Sequence, residues 1–277
     1  MSGGRVVMHR CAVAGVQATT ADTTRSFARH SHDTFGIGVI WRGAQRSASG
    51  RGPVEARAGD VITVNPGEVH DGSPFDERGR AWHMLYFEPS LVHDVALELG
   101  AAVPASVELE RPVLRDDAFA ACFERAFAAA TNAAAPSDTL ACEEALYALM
   151  AECVHRHTTV RPRESASAAI DGPNASIERA KARIDDDPCQ PVTLAGLALD
   201  AGLSRFQLLR GFARATGLPP HAYLIQRRIS LARRLIERGL PLADAAASAG
   251  FADQSHMTRA FARAFGVTPA QYAGAVR

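Results

Sequence analysis

Two sets of polar side chains in this 277-residue chain are candidates for binding a ligand. The first set recurs in two similar segments near the C-terminus: Arg205, Gln207, Arg210 and Arg214, then Gln254, Ser255, Arg259 and Arg263. Arginine can form paired hydrogen bonds with the edge of guanine, and glutamine can do so with adenine. The second set is His30, His32 and His70, whose imidazoles could bind a small molecule or a transition metal. Which ligand each set can bind depends on the secondary structure that positions its side chains.

The first set lies in a duplicated helix-turn-helix pattern. Five residues of the stretch 194–202 are identical to those 48 positions later, and eight residues of 210–223 are identical to those 49 positions later. Two copies are too few for a solenoid, which needs at least three repeats to bury its core. The duplication therefore indicates a paired unit.

Each copy has the residues of a helix, a tight turn with glycine, and a second helix. In the first copy, Thr193 is placed to cap an alanine-rich helix ending at Gly202, and Ser204 to cap the helix that follows. In the second copy, Gly250 marks the turn and Asp253 the next cap. The inner apolar stripes of the second helices are predicted at Phe206, Leu208, Leu209 and Phe212, and at Met257, Phe261 and Phe265.

A helix-turn-helix places its second helix in the major groove of DNA. The pattern of Pro220 to Arg238 predicts one helix joining the copies, so that both could reach successive grooves, about 34 Å apart. Residues 174–277 hold 14 basic and 8 acidic side chains, a net of +6, whereas the preceding residues have a net of −6. A basic C-terminal module favours binding to a phosphate backbone over an ordinary helical bundle.

The run from Leu242 to Tyr272 closely resembles the signature of the AraC/XylS family of transcription regulators. It contains an alanine-bearing helix, Gly-Phe, Asp-Gln-Ser, Arg-x-Phe and Gly-x-x-Pro-x-x-Tyr. The similarity extends over about Ser176 to Ala273 and departs from the family pattern at Met257 and Ala273. The resemblance implies a ligand-responsive, sequence-specific regulator of transcription.

The same resemblance assigns the positions that read bases. They are Arg205, Phe206, Leu209 and Arg210 in the first copy, and Gln254, Ser255 and Arg259 in the second. Phe206 and Leu209 could contact thymine methyl groups or could belong to the core. Arg214 and Arg263 are expected to contact the DNA backbone or to remain solvated.

Residues from about Val6 to Leu109 have the pattern of β-structure. Short apolar or alternating runs at Ile37–Trp41, Val61–Val64 and Trp82–Phe87 are separated by turns rich in glycine, proline and aspartate, as in closed or double-sheet barrels. The segments 30–33, 43–46, 59–70 and 82–86 resemble the small cupin barrel that binds an effector in many members of this family. We expect an effector pocket among His32, Ile40, Arg46, His70, Trp82, His83 and Tyr86.

The three histidines have an alternative role as metal ligands. Three neutral imidazoles and a water would suit zinc or iron, and the alternative function is then a metal-dependent cupin enzyme carrying a DNA-binding module. However, the glutamate expected after the paired histidines is missing, and Asp33 adjoins His32 and so points to the opposite face of a strand. We therefore favour pocket-lining histidines with no metal, no cofactor and no catalytic residue. No Ser/His/Asp, P-loop or dinucleotide motif indicates another enzyme class.

Two helices are expected between the barrel and the DNA-binding module. The first carries Phe119, Phe123 and Phe127, and the second carries Leu140, Tyr147, Met150 and Val154 and ends near His157. A turn at Ala135-Pro-Ser separates them. In relatives this hairpin forms the dimer contact, so the resemblance implies a homodimer.

The sequence thus predicts an α+β protein with a cupin-like effector-binding barrel (1–110), a helical hairpin (111–158), a linker (159–175) and an all-α domain of two tandem helix-turn-helix units (176–277). Its expected partners are double-stranded DNA, a small effector, a second copy of the chain and RNA polymerase. An architectural DNA binder without an effector is a further alternative. No apolar run approaches the ~20 residues of a membrane span, and no signal peptide is apparent. With five scattered cysteines, we expect a cytoplasmic protein without a membrane partner.

Overall fold

The chain forms two compact units in a computed structural model, which describes residues 4–101, 107–132, 139–160, 174–265 and 267–276. One unit comprises residues 1–133 and 145–168, and the other comprises 134–144 and 169–277. The predicted turn at 135–137 and most of the predicted linker lie outside the described residues. None of the described helices combines the length and the apolar character that crossing a bilayer requires.

The first unit is built around antiparallel β-structure. The described residues form nine strands: β1 (Arg5–His9), β2 (Val16–Thr23), β3 (Phe27–His30), β4 (Phe35–Ser49), β5 (Gly52–Arg57), β6 (Val61–Val64), β7 (His70–Pro74), β8 (Arg80–Phe87) and β9 (Val113–Leu114). The main path runs β1-β2-β8-β4-β6-β9, β5 and β7 join it through the second half of β4, and β3 pairs with β7. The predicted strand positions within β4, β6 and β8 are confirmed.

Strand β4 connects the two groups of strands. Its first half pairs with β6 and β8, and its second half pairs with β5 and β7. The register with β8 shifts between Ile40 and Arg42, and Gly43 follows with a φ of 76°. A Cβ at Gly43 would clash with the carbonyl oxygen of Gly79, so this bend needs glycine.

Three helices accompany these strands: α1 (Pro89–Glu98), α2 (Asp117–Asn132) and α3 (Thr139–His157). Helices α2 and α3 confirm the predicted pair, and Phe119, Phe123 and Phe127 of α2 are buried. Helix α1 lies within the region predicted to be β-structure, so that prediction is wrong for these ten residues. It begins with a proline at the position where a helix needs no N–H donor, and it buries Val92, Val95 and Ala96 on one face.

The second unit contains two helix-turn-helix units. Its helices from residue 174 onward are α4 (Asn174–Asp186), α5 (Leu194–Ala201), α6 (Arg205–Thr216), α7 (Pro220–Glu237), α8 (Leu242–Ser248), α9 (Gln254–Phe265) and α10 (Pro269–Val276). Helices α5 and α6 form the first unit and α8 and α9 the second, with α7 between them as predicted.

The predicted caps and turns of these helices are confirmed. Thr193, Ser204 and Asp253 each accept a hydrogen bond from the backbone N–H three residues later, at 3.0, 3.2 and 2.6 Å. The side chain of Gln207 completes the cap of α6, because its Oε1 accepts from the N–H of Ser204 at 3.0 Å. Gly202 and Gly250 have φ of 66° and 78°, which favours glycine at both turns.

Helix α7 packs against the buried side chains of both helix-turn-helix units. Toward its start, the Tyr223 ring meets the edge of the Phe212 ring, with centroids 5.5 Å apart. Toward its end, Ile229, Ala232 and Ile236 form one cluster with buried side chains of α8 and α9, which include Met257 and Phe261. The prediction that Phe265 shares this inner stripe is wrong: it is 44% exposed, because it is the last residue of α9 and lies beyond the buried cluster.

Candidate functional site

The strands of the first unit enclose a cavity of about 210 Å³. Trp82, Met84 and Tyr86 alternate along β8 and therefore point to the same side, where they form much of the apolar wall. Phe27 of β3 also lines the cavity, and its ring lies edge-on to Trp82 with centroids 5.9 Å apart. A cavity with an aromatic wall and a few polar groups is typical of a small-molecule site.

Four of the seven residues predicted for an effector pocket line this cavity, namely His32, His70, Trp82 and Tyr86. The other three, Ile40, Arg46 and His83, do not line it. Their placement follows from which side of a strand each side chain occupies.

Ile40 is completely buried and packs in the core with Ile62 and Met84. Arg46 alternates with cavity-lining neighbours on β4 and so points outward, where its guanidinium donates to Glu55 at 3.2 Å. His83 alternates with Trp82 and Met84 on β8. The prediction for these three residues is wrong because no local pattern in the sequence defines the register of β4 and β8.

His83 instead contacts helix α2 on the outer side of β8. Its ring stacks on Phe127 with centroids 4.3 Å apart and planes 8° from parallel. Its Nδ1 lies 3.1 Å from Oε2 of Glu124. These contacts give His83 a packing role between sheet and helix.

The three histidines of the sequence analysis converge at the cavity. His30 and His70 are opposite partners in the pairing of β3 with β7, and His32 follows two residues after His30. One ring nitrogen from each residue lies within 4.8 Å of those from the others. The ring centroids are 4.5 Å apart for His30 and His70, and 5.3 Å apart for His32 and His70.

Backbone contacts hold these histidines. Nδ1 of His30 donates to the carbonyl oxygen of Ala28 at 2.7 Å, and Nδ1 of His70 donates to that of Glu68 at 3.0 Å. Because a carbonyl oxygen can only accept, each Nδ1 carries a proton, and Nε2 of the neutral ring keeps its lone pair. The carbonyl oxygen of His32 accepts from the N–H of Gly67 at 2.7 Å.

The charge state of His32 follows from its surroundings. Burial lowers the pKa of His32, the neighbouring imidazoles of His30 and His70 lower it further, and Asp33 opposes them. Neutral imidazole is therefore favoured at this position near neutral pH.

Sequence reasoning missed Arg80, which is 1% exposed and lines the same cavity. Its Nε donates to Oε1 of Gln45 and its Nη1 to the carbonyl oxygen of Arg25, both at 3.0 Å, and its guanidinium lies 4.9 Å from the centre of the Trp82 ring. Burial lowers the pKa of Arg80 to about 10, and no described carboxylate forms an ion pair with it. Its spacing from Trp82 along one strand was the signal that could have identified it.

In the second unit, α6 and α9 each bury one face and present another. Leu208 and Phe212 are buried on α6, and Met257 and Phe261 on α9. Of the predicted base-reading residues, Arg210, Gln254, Ser255 and Arg259 are exposed, and Arg205, Phe206 and Leu209 are partly exposed. The guanidinium of Arg210 lies 5.4 Å from the Phe206 ring centre. Polar side chains are thus available on both helices.

The segment between α4 and α5 packs on the turn of the second helix-turn-helix. The carbonyl oxygen of Pro188 accepts from Nε of Arg228 on α7 at 2.7 Å. The Cys189 thiol donates to the carbonyl oxygen of Ser248 at 3.1 Å. A Cβ at Gly250 would lie only 2.9 Å from Cα of Cys189. These contacts tie the two helix-turn-helix units together.

Two family models match successive parts of the chain. The model of an AraC-like ligand binding domain matches residues 14–150, and the model of a helix-turn-helix domain matches residues 197–275. Their order and extent correspond to the cavity-containing unit and the paired helix-turn-helix units.

Curated relatives are regulators of transcription. The uncharacterized HTH-type transcriptional regulator YbfI of Bacillus subtilis (strain 168) is 27% identical over 233 residues, covering 84% of this chain and 82% of that protein. The transcriptional activator NphR of Rhodococcus sp is 38% identical over 82 residues, covering 29% of this chain and 24% of that protein.

Solved structures also align with the chain. ToxT from Vibrio cholerae has 13% sequence identity and a TM-score of 0.36, over 94% of this chain and 98% of that one. The DNA-binding domain of AdpA, solved in complex with a target DNA, has 28% identity and a TM-score of 0.35, over 38% of this chain and 95% of that one. On the two family models and the relative aligned along most of its length, the chain belongs to the AraC family of DNA-binding transcription regulators, with its ligand-binding domain ahead of the helix-turn-helix domain.

Proposed function

We propose that the chain recognises a specific double-stranded DNA sequence through α6 and α9 and responds to a small effector in the cavity of the first unit. The observation that carries the proposal is the pair of exposed polar faces on two helices that each have their own buried core. In this proposal Arg205, Arg210, Gln254, Ser255 and Arg259 read base edges, and Phe206 and Leu209 contact thymine methyl groups.

A comparison of two arginines on α9 tests the DNA contacts. Arg259→Ala should weaken binding by about 1–3 kcal/mol and relax preference at one base pair, because a forked contact to guanine is lost. Arg263→Ala, as the matched control, should weaken all sequences alike and reduce the salt slope by about 1, because a phosphate contact is lost. The measurement is binding of the full chain to a site selected from random DNA and to its single-base variants.

The two arginines must behave differently for the proposal to stand. A loss from Arg259→Ala that is the same for every sequence would contradict a base-reading role. Failure of the full chain to enrich any sequence would contradict specific recognition altogether.

The cavity favours an effector with a flat apolar body and an anionic group. Phe27, Trp82 and Tyr86 supply aromatic contacts, and Arg80 supplies a buried positive charge with two of its N–H groups already bonded. Glu68 and Asp71 also line the cavity, but no described carboxylate forms an ion pair with Arg80, so an effector carboxylate near Arg80 would provide that partner. The effector changes DNA binding only if it binds one arrangement of the regulator more tightly than another.

Thermal-shift screening of benzoate and related small carboxylates against their matched carboxamides tests this effector class. We expect the carboxylates to raise the melting temperature more, and Arg80→Met to remove that preference. Trp82→Leu should abolish binding, whereas His83→Gln on the opposite side of β8 should preserve it. Binding that survives Trp82→Leu but not His83→Gln would locate the ligand outside the cavity.

We also propose that the regulator is a non-enzymatic, cytoplasmic homodimer that contacts RNA polymerase. The resemblance of α2 and α3 to a family dimer hairpin supports the dimer. A DNA partner supports the location, as do five described cysteines of which none forms a disulfide. Phe123, Leu149 and Val154 of the hairpin are already buried in the single chain, so a dimer would use its more polar surface. Sedimentation equilibrium at micromolar concentration should give twice the chain mass, and a monomer would contradict this.

A further inference from the structure

We propose that His30, His32 and His70 together bind one divalent transition-metal ion, with Zn²⁺ as the best match, at the edge of the effector cavity. Each histidine offers one ring nitrogen, and these nitrogens lie within 4.8 Å of one another. All three residues line the cavity. The sequence favoured a metal-free role because the expected carboxylate is missing, but three imidazoles alone can hold zinc with a fourth position open.

The strand pairing brings the ligands together before any metal binds. His30 and His70 are directly opposite each other on β3 and β7. The N–H of Gly67 donates to the carbonyl oxygen of His32 at 2.7 Å and so ties the segment after β3 to the turn before β7. A site prepared in this way loses little conformational freedom when the ion binds.

Hydrogen bonds from Nδ1 prepare two of the rings for coordination. His30 donates to the carbonyl oxygen of Ala28 and His70 to that of Glu68, so Nε2 of each neutral ring can donate its lone pair to a metal. Metal-binding histidines commonly have such a bond from their second nitrogen, which fixes the tautomer and ring orientation. Simple packing of three imidazoles would not require it.

The distances are compatible with a modest closure around the ion. Zinc–nitrogen bonds of about 2.0–2.1 Å in a tetrahedral site place the ligand nitrogens about 3.3 Å apart. The rings must therefore approach each other by about 1.5 Å at most. His30 is exposed and His32 is only partly buried, so rotation of their side chains can supply this movement.

The ligand set determines the class of metal and leaves room for another donor. Imidazole nitrogens suit Zn²⁺, Cu²⁺, Ni²⁺ or Fe²⁺, whereas Mg²⁺ and Ca²⁺ prefer oxygen ligands. With three protein ligands, the fourth position can accept water or an oxygen or nitrogen donor from a small molecule. If the proposed effector function holds, this ion is a direct contact for the effector.

Metal titration of the full, untagged chain tests the site. After EDTA treatment and dialysis, Co²⁺ should bind in a one-to-one ratio and give the intense visible bands of a four-coordinate ion, and Zn²⁺ should displace it. Added sodium azide should change the Co²⁺ spectrum by entering the open position. His32→Gln and His70→Gln should each weaken Zn²⁺ binding by at least about tenfold, while His155→Gln, on the exposed face of α3, should have no effect.

The result that would overturn the proposal is an absence of one-to-one binding by the wild-type chain, or equal binding by wild type, His32→Gln and His70→Gln. Circular dichroism checks that the variants are folded. If one variant does not fold, the stoichiometry and the azide response of the wild-type chain still test whether the metal site exists. None of these measurements uses DNA or an effector. A failure of the proposed regulatory function would therefore be seen separately from a failure of metal binding.

Discussion

Arg80 places the strongest constraint on the chemistry of the cavity. A buried guanidinium that forms no ion pair with any described residue is costly, and here it is stabilised by two hydrogen bonds and by the Trp82 ring. Such a charge favours an anionic ligand over a neutral ligand of the same shape.

His157 at the end of α3 should make stability depend on pH. Burial and then the charge of Arg156 lower its pKa, Asp116 and Glu152 raise it, and Arg111 lowers it. Because the pKa in the folded state is below 6.5, the unfolded state takes up the proton first as the pH falls. His157 should therefore reduce the free energy of unfolding below about pH 6.5 and have no such effect above it.

The test is the difference in urea stability between pH 5.5 and pH 7.5. His157→Phe preserves the ring contact with Phe119, now 4.6 Å between centroids, and should make this difference smaller. The exposed neighbour His155 provides the control, because His155→Gln should leave the difference unchanged. An unchanged difference in His157→Phe would contradict the assignment.

At the scale of elements, the turn of the second helix-turn-helix depends on Gly250. Gly250 and Gly239 both have positive φ, 78° and 91°, so alanine at either position incurs about 1–2 kcal/mol of backbone strain. Only at Gly250 would the new Cβ also crowd Cys189, at 2.9 Å, and Arg228, at 3.0 Å. Gly250→Ala should therefore destabilise the second unit more than Gly239→Ala and weaken DNA binding more strongly.

Thermal unfolding and DNA affinity of the two glycine variants provide the measurement. Equal effects of the two substitutions would mean that the segment 187–190 can move away from the new Cβ without loss of stability. It would then not hold the two helix-turn-helix units together.

The elements of the second unit could be predicted largely from sequence because their signals are local. The Ser204 side chain accepts a hydrogen bond from an N–H only three residues away, and a turn glycine is needed because of the φ of that residue alone. Burial could not be predicted to the same degree: Phe265 has the spacing of the inner stripe, but its side chain is exposed. Helix α1 is not predicted because its ten residues mix apolar and polar side chains, follow directly on β8 and are too few to give a clear helical period.

For the whole molecule, the opposite charges of the two halves predict strong salt dependence of DNA binding. The net +6 of residues 174–277 is opposed by −6 in the remainder, so affinity must come from a basic face and not from overall charge. If about six phosphates are contacted, affinity should fall on the order of 10³-fold between 50 and 200 mM salt. Fluorescence anisotropy with a neutral osmolyte as control measures this, and a flat salt response would contradict phosphate binding by this module.

The family, the duplicated helix-turn-helix and the polar residues on its second helices could be predicted from the sequence, because helical period, caps and turn glycines act over a few residues. The set of side chains that share the cavity depends instead on how distant strands pair. The register shift in β4 and the alternation of β8 separate Arg46 and His83 from Trp82 and bring in Arg80. The pairing of β3 with β7 places His30 opposite His70, forty positions later in the chain. A contact between strands so distant in sequence depends on the register of the whole sheet, which no local pattern contains.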